Sequence, residues 1–350
     1  MPLQQLDIFD VRNISELRWS LHPKWNIIHG ENGSGKTALL ESMYLLSTGK
    51  SFRCREILPL IQHEKEKFTV TGQLQNGSNL SIQKSISQAT QVRIDGQNCV
   101  SSSELAHTLP CQILFHQLFS LIDGGSEFRR RILDWGLFYT KPEYMGVWKA
   151  YHKALQQRNA LLRQKASLSH LKPWDLLLDQ YSIPLMEYRQ QYFTELETQF
   201  LKLLPQMLDM PISLEYYPGW TYASQSFFEV LQKQAAQDSQ KQYTTVGPHR
   251  ADIRIHFSGK EAKKFPSRGQ QKMAMITLQL AQIYLLPQAC LVLCDDIEAE
   301  LDSKHLVRCI EVMDSIPGQY VVTTLSDRFS SMPLSEMPAQ RMAIENGVLL

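Results

Sequence analysis

No charge of one sign dominates this chain. Its 350 residues carry 36 Lys and Arg against 35 Asp and Glu, a net of +1 with neutral histidines. A protein that coats nucleic acid by bulk charge is therefore excluded, although local patches are not. Long apolar runs are also missing. The most apolar stretch, residues 273–294, is broken by Gln279, Gln282, Pro287 and Gln288 and is too polar for a membrane span. The first ten residues hold Asp7 and Asp10 and no apolar run, so they do not read as a signal peptide. Cysteine is sparse: none of the six, at 54, 99, 111, 290, 294 and 309, forms the Cys-x-x-Cys spacing of a zinc or redox site. Cys290 and Cys294 fall in an apolar run and read as small core side chains. With no disulfide framework expected, the cytoplasm is the natural compartment. Hundreds of residues of heptad repeat do not fit in 350, which excludes a chromosome-organising protein with long coiled-coil arms. The remaining class is a large globular protein, 43% hydrophobic and 20% charged, able to bury a core without staples.

Strand patterns dominate the first hundred residues. Residues 16–22 alternate polar and apolar with period two. Phe68, Val70 and Leu74 repeat the pattern, as do Leu80 and Ile82; Val92 and Ile94 run into the hairpin signal Asp95-Gly96. Between them Leu39, Leu40, Met43 and Leu46 have helical spacing, and Gly49 marks the helix end. From about 126 to 236 glycine becomes rare and the spacing turns helical, with Trp148, Tyr151, Leu155 and Leu162 on one side of a helix. Pro142, Pro173, Pro184, Pro205 and Pro211 are expected to divide this region into several helices. Strands return beyond about 242, at Ile253 and Ile255, at 291–294 and at 320–325, and Asn346-Gly347 reads as a last hairpin turn. The plan is α/β. A mixed-sheet lobe comes from both chain ends, residues 1–118 and 286–350, and a mostly helical second lobe spans 119–285.

The sharpest signal is Gly30-Glu31-Asn32-Gly33-Ser34-Gly35-Lys36-Thr37, which fits G-x-x-x-x-G-K-[ST] between a short buried strand at 25–29 and a helix. Glycines let successive N–H groups turn inward onto phosphate oxygens, and the helix N-terminus favours an anion. Lys36 then reaches the β- and γ-phosphates of ATP, and the Thr37 hydroxyl can ligate Mg2+. Such a loop needs an acidic partner strand. Residues 290–296, Cys-Leu-Val-Leu-Cys-Asp-Asp, supply one: Asp295 would hold the Mg2+ and Asp296 would orient or deprotonate the attacking water.

Ahead of that strand stands Ser267-Arg268-Gly269-Gln270, with Ser267 a good helix N-cap and Gly269 permitting close approach of a ligand. Phosphate loop, long insertion, Ser-x-Gly-Gln signature and carboxylate strand, in this order, are similar to ABC-type P-loop ATPase heads. Ala299-Glu300-Leu301-Asp302 resembles their D-loop, and a threonine stands at the end of the next strand, where many relatives place a switch histidine. With Arg12-Asn13, Gly49-Lys50-Ser51-Phe52-Arg53, Arg129-Arg130-Arg131-Ile132-Leu133-Asp134 and Gly247-Pro248-His249-Arg250 added, essentially the whole chain resembles the RecF family of recombination-mediator ATPases, related to SMC and Rad50 heads.

The resemblance implies an ATP-dependent homodimer in which Ser267, Gly269 and Gln270 of one copy meet the γ-phosphate held by the other. It implies Arg12 and Asn13 at the ATP, and Gln117 beside the attacking water. It also implies weak, DNA-stimulated ATP hydrolysis, binding to gapped single-strand/double-strand DNA junctions, and work with RecO and RecR to load RecA in recombinational repair and the SOS response. This chain departs from the family at His116-Gln117, Pro266 and Glu298. Residues 149–172 hold Lys149, Lys153, Arg158, Arg163, Lys165 and Lys172 and no acid, and Lys149, Lys153 and Arg163 share a helical face fit for DNA phosphates. A second basic stretch lies at 253–272. The alternative is the ATPase subunit of a membrane transporter, for which the helical lobe is longer and more basic than needed.

Overall fold

The computed structural model describes residues 2–54, 56–99, 101–114, 124–221, 226–258, 260–261, 267–325 and 338–350, and the backbone alone at 260–261 and 299–300. The chain divides into two compact units, Met1–His116 with Leu286–Leu350, and Gln117–Leu285.

The first unit contains two six-stranded sheets. One is antiparallel: β1 (Leu3–Val11), β2 (Ile14–Ser20), β4 (Lys67–Leu74), β5 (Asn79–Ser85), β6 (Gln91–Ile94) and β7 (Gln97–Asn98), in the order β2-β1-β4-β5-β6-β7. Its strands alternate buried and exposed residues, as a sheet with one wet face should. The other sheet is built round β3 (Trp25–His29), whose residues from Trp25 to Ile28 are all buried. Its further strands are β8 (Cys111–Leu114), β12 (Cys290–Cys294), β13 (Gly318–Thr324), β14 (Ala339–Glu345) and β15 (Val348–Leu349), in the order β15-β14-β3-β13-β12-β8. The pairs β14–β3, β3–β13, β13–β12 and β12–β8 are parallel. Cys290 and Cys294 are buried core residues.

Helix α1 (Lys36–Thr48) is the shared filling of both sheets. Leu39, Leu40, Met43, Leu45 and Leu46 join one apolar cluster with Ile8 and Val70 of the first sheet and Leu291, Leu293 and Val321 of the second. Fully burying each such side chain is worth about 1.5–3 kcal/mol. The helix ends where Gly49 adopts φ 71° and its N–H reaches the Leu45 carbonyl, a conformation that costs glycine nothing. Gly72 of β4 lets the helix approach: a Cβ there would lie 2.5 Å from Leu46 Cδ2. Helices α2 (Ser102–Thr108), α8 (Ile297–Glu300) and α9 (Ser303–Ser315) complete the described part of this unit.

The second unit contains α3 (Ser126–Thr140), α4 (Tyr144–Arg163), α5 (Leu168–Met207), α6 (Phe227–Lys241) and α7 (Arg268–Tyr284). They accompany a three-stranded sheet, β9 (Ile212–Tyr217), β10 (Asp252–Phe257) and β11 (Lys260–Glu261). Here the structure corrects three expectations. Pro173, Pro184 and Pro205 do not divide the chain but sit inside the 40-residue α5. Each interior proline removes one backbone bond and costs about 3 kcal/mol. Against that stands an unbroken buried stripe through Leu171, Leu178, Leu185, Tyr192, Leu196, Phe200 and Leu203. Second, the region of helical spacing also holds a strand, β9, which pairs antiparallel with β10. Third, Arg158 does not belong to the basic face. It is fully buried, with Nε 2.6 Å from Asp175 and Nη1 2.7 Å from Asp238.

Among the described residues no helix is long and apolar enough to cross a membrane.

Candidate functional site

The phosphate loop joins the end of β3 to α1. Gly33 and Gly35 take φ 83° and 116°, values that a side chain would strain, and a Cβ at Gly33 would meet nothing within 4 Å. Lys36 is only 5% exposed; its ammonium donates to the carbonyls of Gly30 (2.7 Å) and Glu31 (3.0 Å) and lies 3.8 Å from Asp296. The Ser34 hydroxyl is buried and has no hydrogen-bond partner among the described residues. An unsatisfied buried hydroxyl is costly, and an oxyanion in the loop would satisfy it.

The carboxylate strand arrives at this loop. β12 ends at Cys294, and Thr37 Oγ1 donates to Asp295 at 2.9 and 3.2 Å. Thr323 of the neighbouring β13 donates to Asp295 Oδ1 at 3.0 Å, and the Asp296 amide bonds the same hydroxyl at 2.9 Å. Asp296 follows at φ 45°, in the residue before α8. The site can be tested for Mg2+. Two adjacent ligands of an octahedral ion with bonds of about 2.1 Å stand roughly 3 Å apart, and the Thr37 and Asp295 oxygens meet that spacing. Among the described residues no three acids, histidines or cysteines gather as a metal cage. An ion here would complete its shell from phosphate and water, as Mg2+ does. Both ATP phosphates and Mg2+ fit.

Two turns hold the loop from outside: Arg12-Asn13, which the family resemblance places at the ATP, and Asn346-Gly347, whose contact with the loop leaves no local signal in the sequence. Asn13 Nδ2 donates to the Gly33 carbonyl at 3.0 Å. Arg12, at φ 53°, instead points its guanidinium at Glu41 of α1, with Nη2 3.1 Å from Oε1; this bond holds the Arg12 pKa above its usual range. Glu41 is fully buried and also accepts from the Ser51 hydroxyl. On the other flank the Asn346-Gly347 turn sends the Gly347 N–H to the Ser34 carbonyl at 2.7 Å. A Cβ on Gly347 would lie 2.3 Å from the Asn13 carbonyl oxygen, and one on Gly30 would lie 2.4 Å from that of Ile344. Gly347→Ala is accordingly expected to cost about 1–3 kcal/mol, through a strained φ and a backbone clash. It should also weaken nucleotide binding, and thermal melts paired with ATP titration check both.

Other sequence-predicted residues lie elsewhere. Ser267 caps α7 in a capping box: its Oγ accepts from the Gln270 N–H at 3.2 Å, and Gln270 Oε1 accepts from the Ser267 N–H at 2.8 Å. Both Ser267 and Gly269 are exposed, and a Cβ on Gly269 would have only Ser267 Oγ nearby, at 3.9 Å. Asp302 caps α9, accepting from the His305 N–H at 3.0 Å. Thr324 is fully buried. Lys149, Lys153 and Arg163 are exposed along α4 and have no ion-pair partner among the described residues. Gln117, His116 and Pro266 lie outside the described residues, as do the side chains of Ala299 and Glu300.

Residues 247–250 form a locked structural turn. His249 Nε2 faces the Thr244 carbonyl at 2.9 Å, which can only accept, so Nδ1 accepts from the Tyr151 hydroxyl at 2.8 Å. Burial pushes the His249 pKa down to about 3, leaving it neutral. Arg189 Nη1 holds the Pro248 carbonyl at 2.7 Å.

A glycine loop, a helix with a buried lysine and a carboxylate strand pairing with its threonine define a P-loop nucleotide-binding head. The model of the RecF/RecN/SMC N-terminal domain matches residues 2–338. The DNA replication and repair protein RecF of Pseudomonas aeruginosa strain LESB58 is 38% identical over 333 residues, 92% of this chain and 90% of that protein. The same protein of Pseudomonas syringae pv. tomato is 36% identical over 339 residues, 94% and 92% of the two chains. A solved structure of the recombination mediator RecF with ATP, in the RecFOR pathway, superposes with a TM-score of 0.83 at 22% identity, covering 100% of this chain and 97% of that one. An Smc head bound to the C-terminal winged-helix domain of ScpA gives 0.58 at 14% identity, covering 100% and 97%. The chain belongs to the RecF family, within the group that RecF forms with RecN and SMC heads.

Proposed function

We propose that this chain is an ATP-gated DNA-binding protein of recombinational repair, with weak, DNA-stimulated ATP hydrolysis serving as its switch. The observation that carries the reading is the Thr37–Asp295 pair beside the phosphate loop, in a chain whose relatives are named for DNA replication and repair. Those names favour it over a transporter subunit.

In this reading the amides of residues 30–37 and the Lys36 ammonium bind the phosphates of ATP, and Asn13 keeps the loop in shape. Thr37 and Asp295 would hold Mg2+, which would supply charge neutralisation at the phosphates. Asp296 orients the attacking water and accepts its proton, with Gln117 beside it. Arg12 acts at the ATP through the turn it shares with Asn13. Ser267, Gly269 and Gln270 act on the γ-phosphate of a second copy, so that ATP closes a homodimer. The openness around Gly269 supports this: among the described residues only Ser267 Oγ, at 3.9 Å, lies near a Cβ placed there, which leaves room for a ligand. DNA phosphates lie along Lys149, Lys153 and Arg163. The substrate is a gapped single-strand/double-strand junction, and RecO and RecR are the partners in loading RecA during recombinational repair and the SOS response, in the cytoplasm.

Sedimentation with and without ATP, repeated with gapped DNA, tests the reading. Ser267→Ala is expected to bind ATP as a monomer and fail to dimerise. Dimerisation of that variant with ATP would overturn the composite site.

A further inference from the structure

β13 lies between the strand that leads into the phosphate loop and the strand that ends in the carboxylates. Its last two residues, Thr323 and Thr324, are fully buried and pair in register with Ile28 and His29 of β3. On the other side the ladder with β12 stops at Cys294 and Val322. Asp295 and Asp296 therefore leave the sheet beside Thr323, just beyond the reach of backbone pairing.

Valine would be the ordinary residue at 323. It has the same branched shape and the same preference for strands, and Val321 and Val322 precede the position. A hydroxyl in a fully buried place is unfavourable unless it is hydrogen-bonded. The Thr323 hydroxyl is bonded in both senses. Its single proton goes to Asp295 Oδ1 at 3.0 Å, the Cys294 carbonyl at 3.5 Å being the weaker acceptor. Its lone pair receives the Asp296 N–H at 2.9 Å.

For Asp295 the result is a fixed carboxylate plane. Thr37 Oγ1 is nearer to Oδ2, at 2.9 Å, than to Oδ1, at 3.2 Å, so its proton serves Oδ2 while Thr323 serves Oδ1. Rotation of the carboxylate would break both bonds, and each oxygen keeps lone pairs for a further ligand. For Asp296 the result is a fixed backbone. Its φ of 45° is unfavourable for a residue with a side chain, and the bond from its N–H to Thr323 offsets part of that strain. The same strand end reaches the phosphate loop by backbone alone: the Gly30 N–H bonds the Thr324 carbonyl at 3.3 Å, a contact that substitution at 323 leaves in place.

We propose that Thr323 is a positioning residue for ATP hydrolysis: one hydroxyl sets the Asp295 carboxylate for Mg2+ and, through the Asp296 amide, places the carboxylate that accepts the water's proton. This rests on the ATPase reading above and adds to it the group that keeps the two acids in register.

The test compares ATP affinity in Mg2+ with that in EDTA, their ratio being the Mg2+ gain, and measures single-turnover hydrolysis at saturating ATP and Mg2+. Thr323→Val keeps the shape and removes the hydroxyl. It should bind ATP natively in EDTA, lose about tenfold of the Mg2+ gain and hydrolyse about tenfold more slowly, the scale of one hydrogen bond to a charged group. Thr323→Ser returns the hydroxyl without the methyl and should recover both. A merely structural threonine would instead lower the melting temperature and both affinities together, and serine would not rescue it. Thr323→Ala also lacks the hydroxyl and must show the same two losses, so it carries the test should the valine variant not fold. An undiminished Mg2+ gain or a native single-turnover rate without the hydroxyl, or a serine variant as impaired as valine, overturns the proposal. A wild-type protein with no Mg2+ gain and no hydrolysis defeats the ATPase reading itself, whereas a wild type with both, beside an unaffected Thr323→Val, defeats only this role.

Discussion

Lys36→Ala is expected to lower ATP affinity about 100-fold or more while the protein stays folded. Lys36 is 5% exposed and belongs to a loop that otherwise offers an anion backbone amides and the hydroxyls of Ser34 and Thr37. Truncating one partner of a buried charge pair costs about 2–5 kcal/mol, and each 1.4 kcal/mol is a factor of ten. The lysine also ties the Gly30 and Glu31 carbonyls together, so its loss loosens the loop it serves. The fold should survive because α1 is held by Leu39, Leu40, Met43 and Leu46 rather than by this side chain. Thermal melts distinguish the two effects. A ligand at 100 times its Kd stabilises by about 2.7 kcal/mol, so ATP should raise the wild-type Tm and leave that of Lys36→Ala unmoved. A variant that still binds ATP with native affinity would remove the phosphate-loop assignment.

Asp296→Asn should have the opposite profile, with ATP affinity near native and hydrolysis slowed about 100-fold or more. Asp296 stands at φ 45°, where most side chains are strained; asparagine tolerates this conformation, so the backbone should not move. What is lost is a proton acceptor beside the phosphates. Single-turnover hydrolysis against equilibrium ATP binding separates the effects, and native turnover would exclude Asp296 as the base.

The parts of this molecule that the sequence makes legible are those whose cause is local. Gly30 to Thr37 can be recognised because turn, amide cradle and helix start are contiguous in the chain. The buried run from Cys290 to Cys294 announces its own strand, and Asp295 and Asp296 then fall at its end. Residues acting over distance leave no such trace. Pro173, Pro184 and Pro205 are breakers by local rules, and only the packed stripe of α5 overrides them. Arg158 reads as a surface cation because Asp175 and Asp238, which bury it, are 17 and 80 residues away. Strand β9 carries alternating Ile212, Leu214 and Tyr216, but a preceding proline and helical neighbours mask the period. Gly347 is recognisable as a turn glycine; that its turn braces the phosphate loop depends on a contact with residues more than 300 positions earlier.

The strand order β14-β3-β13-β12-β8 also constrains how the protein is made. β3 pairs on one side with Tyr320 to Thr324 and on the other with Ala339 to Ala343. Even Leu3 has its amide bonded to the Gln319 side chain. On the ribosome the phosphate loop is thus synthesised well before β12, β13 and β14 and lacks its sheet until they emerge. At about 5–20 residues per second the intervening 300 or so residues take roughly 15–60 s. During that time the apolar face of α1 and both edges of β3 are unsatisfied, the condition in which chains misassociate or recruit chaperones. The second unit is complete in sequence before that wait ends. An insertion between the strands of one sheet is therefore also a timer, which keeps the nucleotide site unassembled until β13 and β14 have been made.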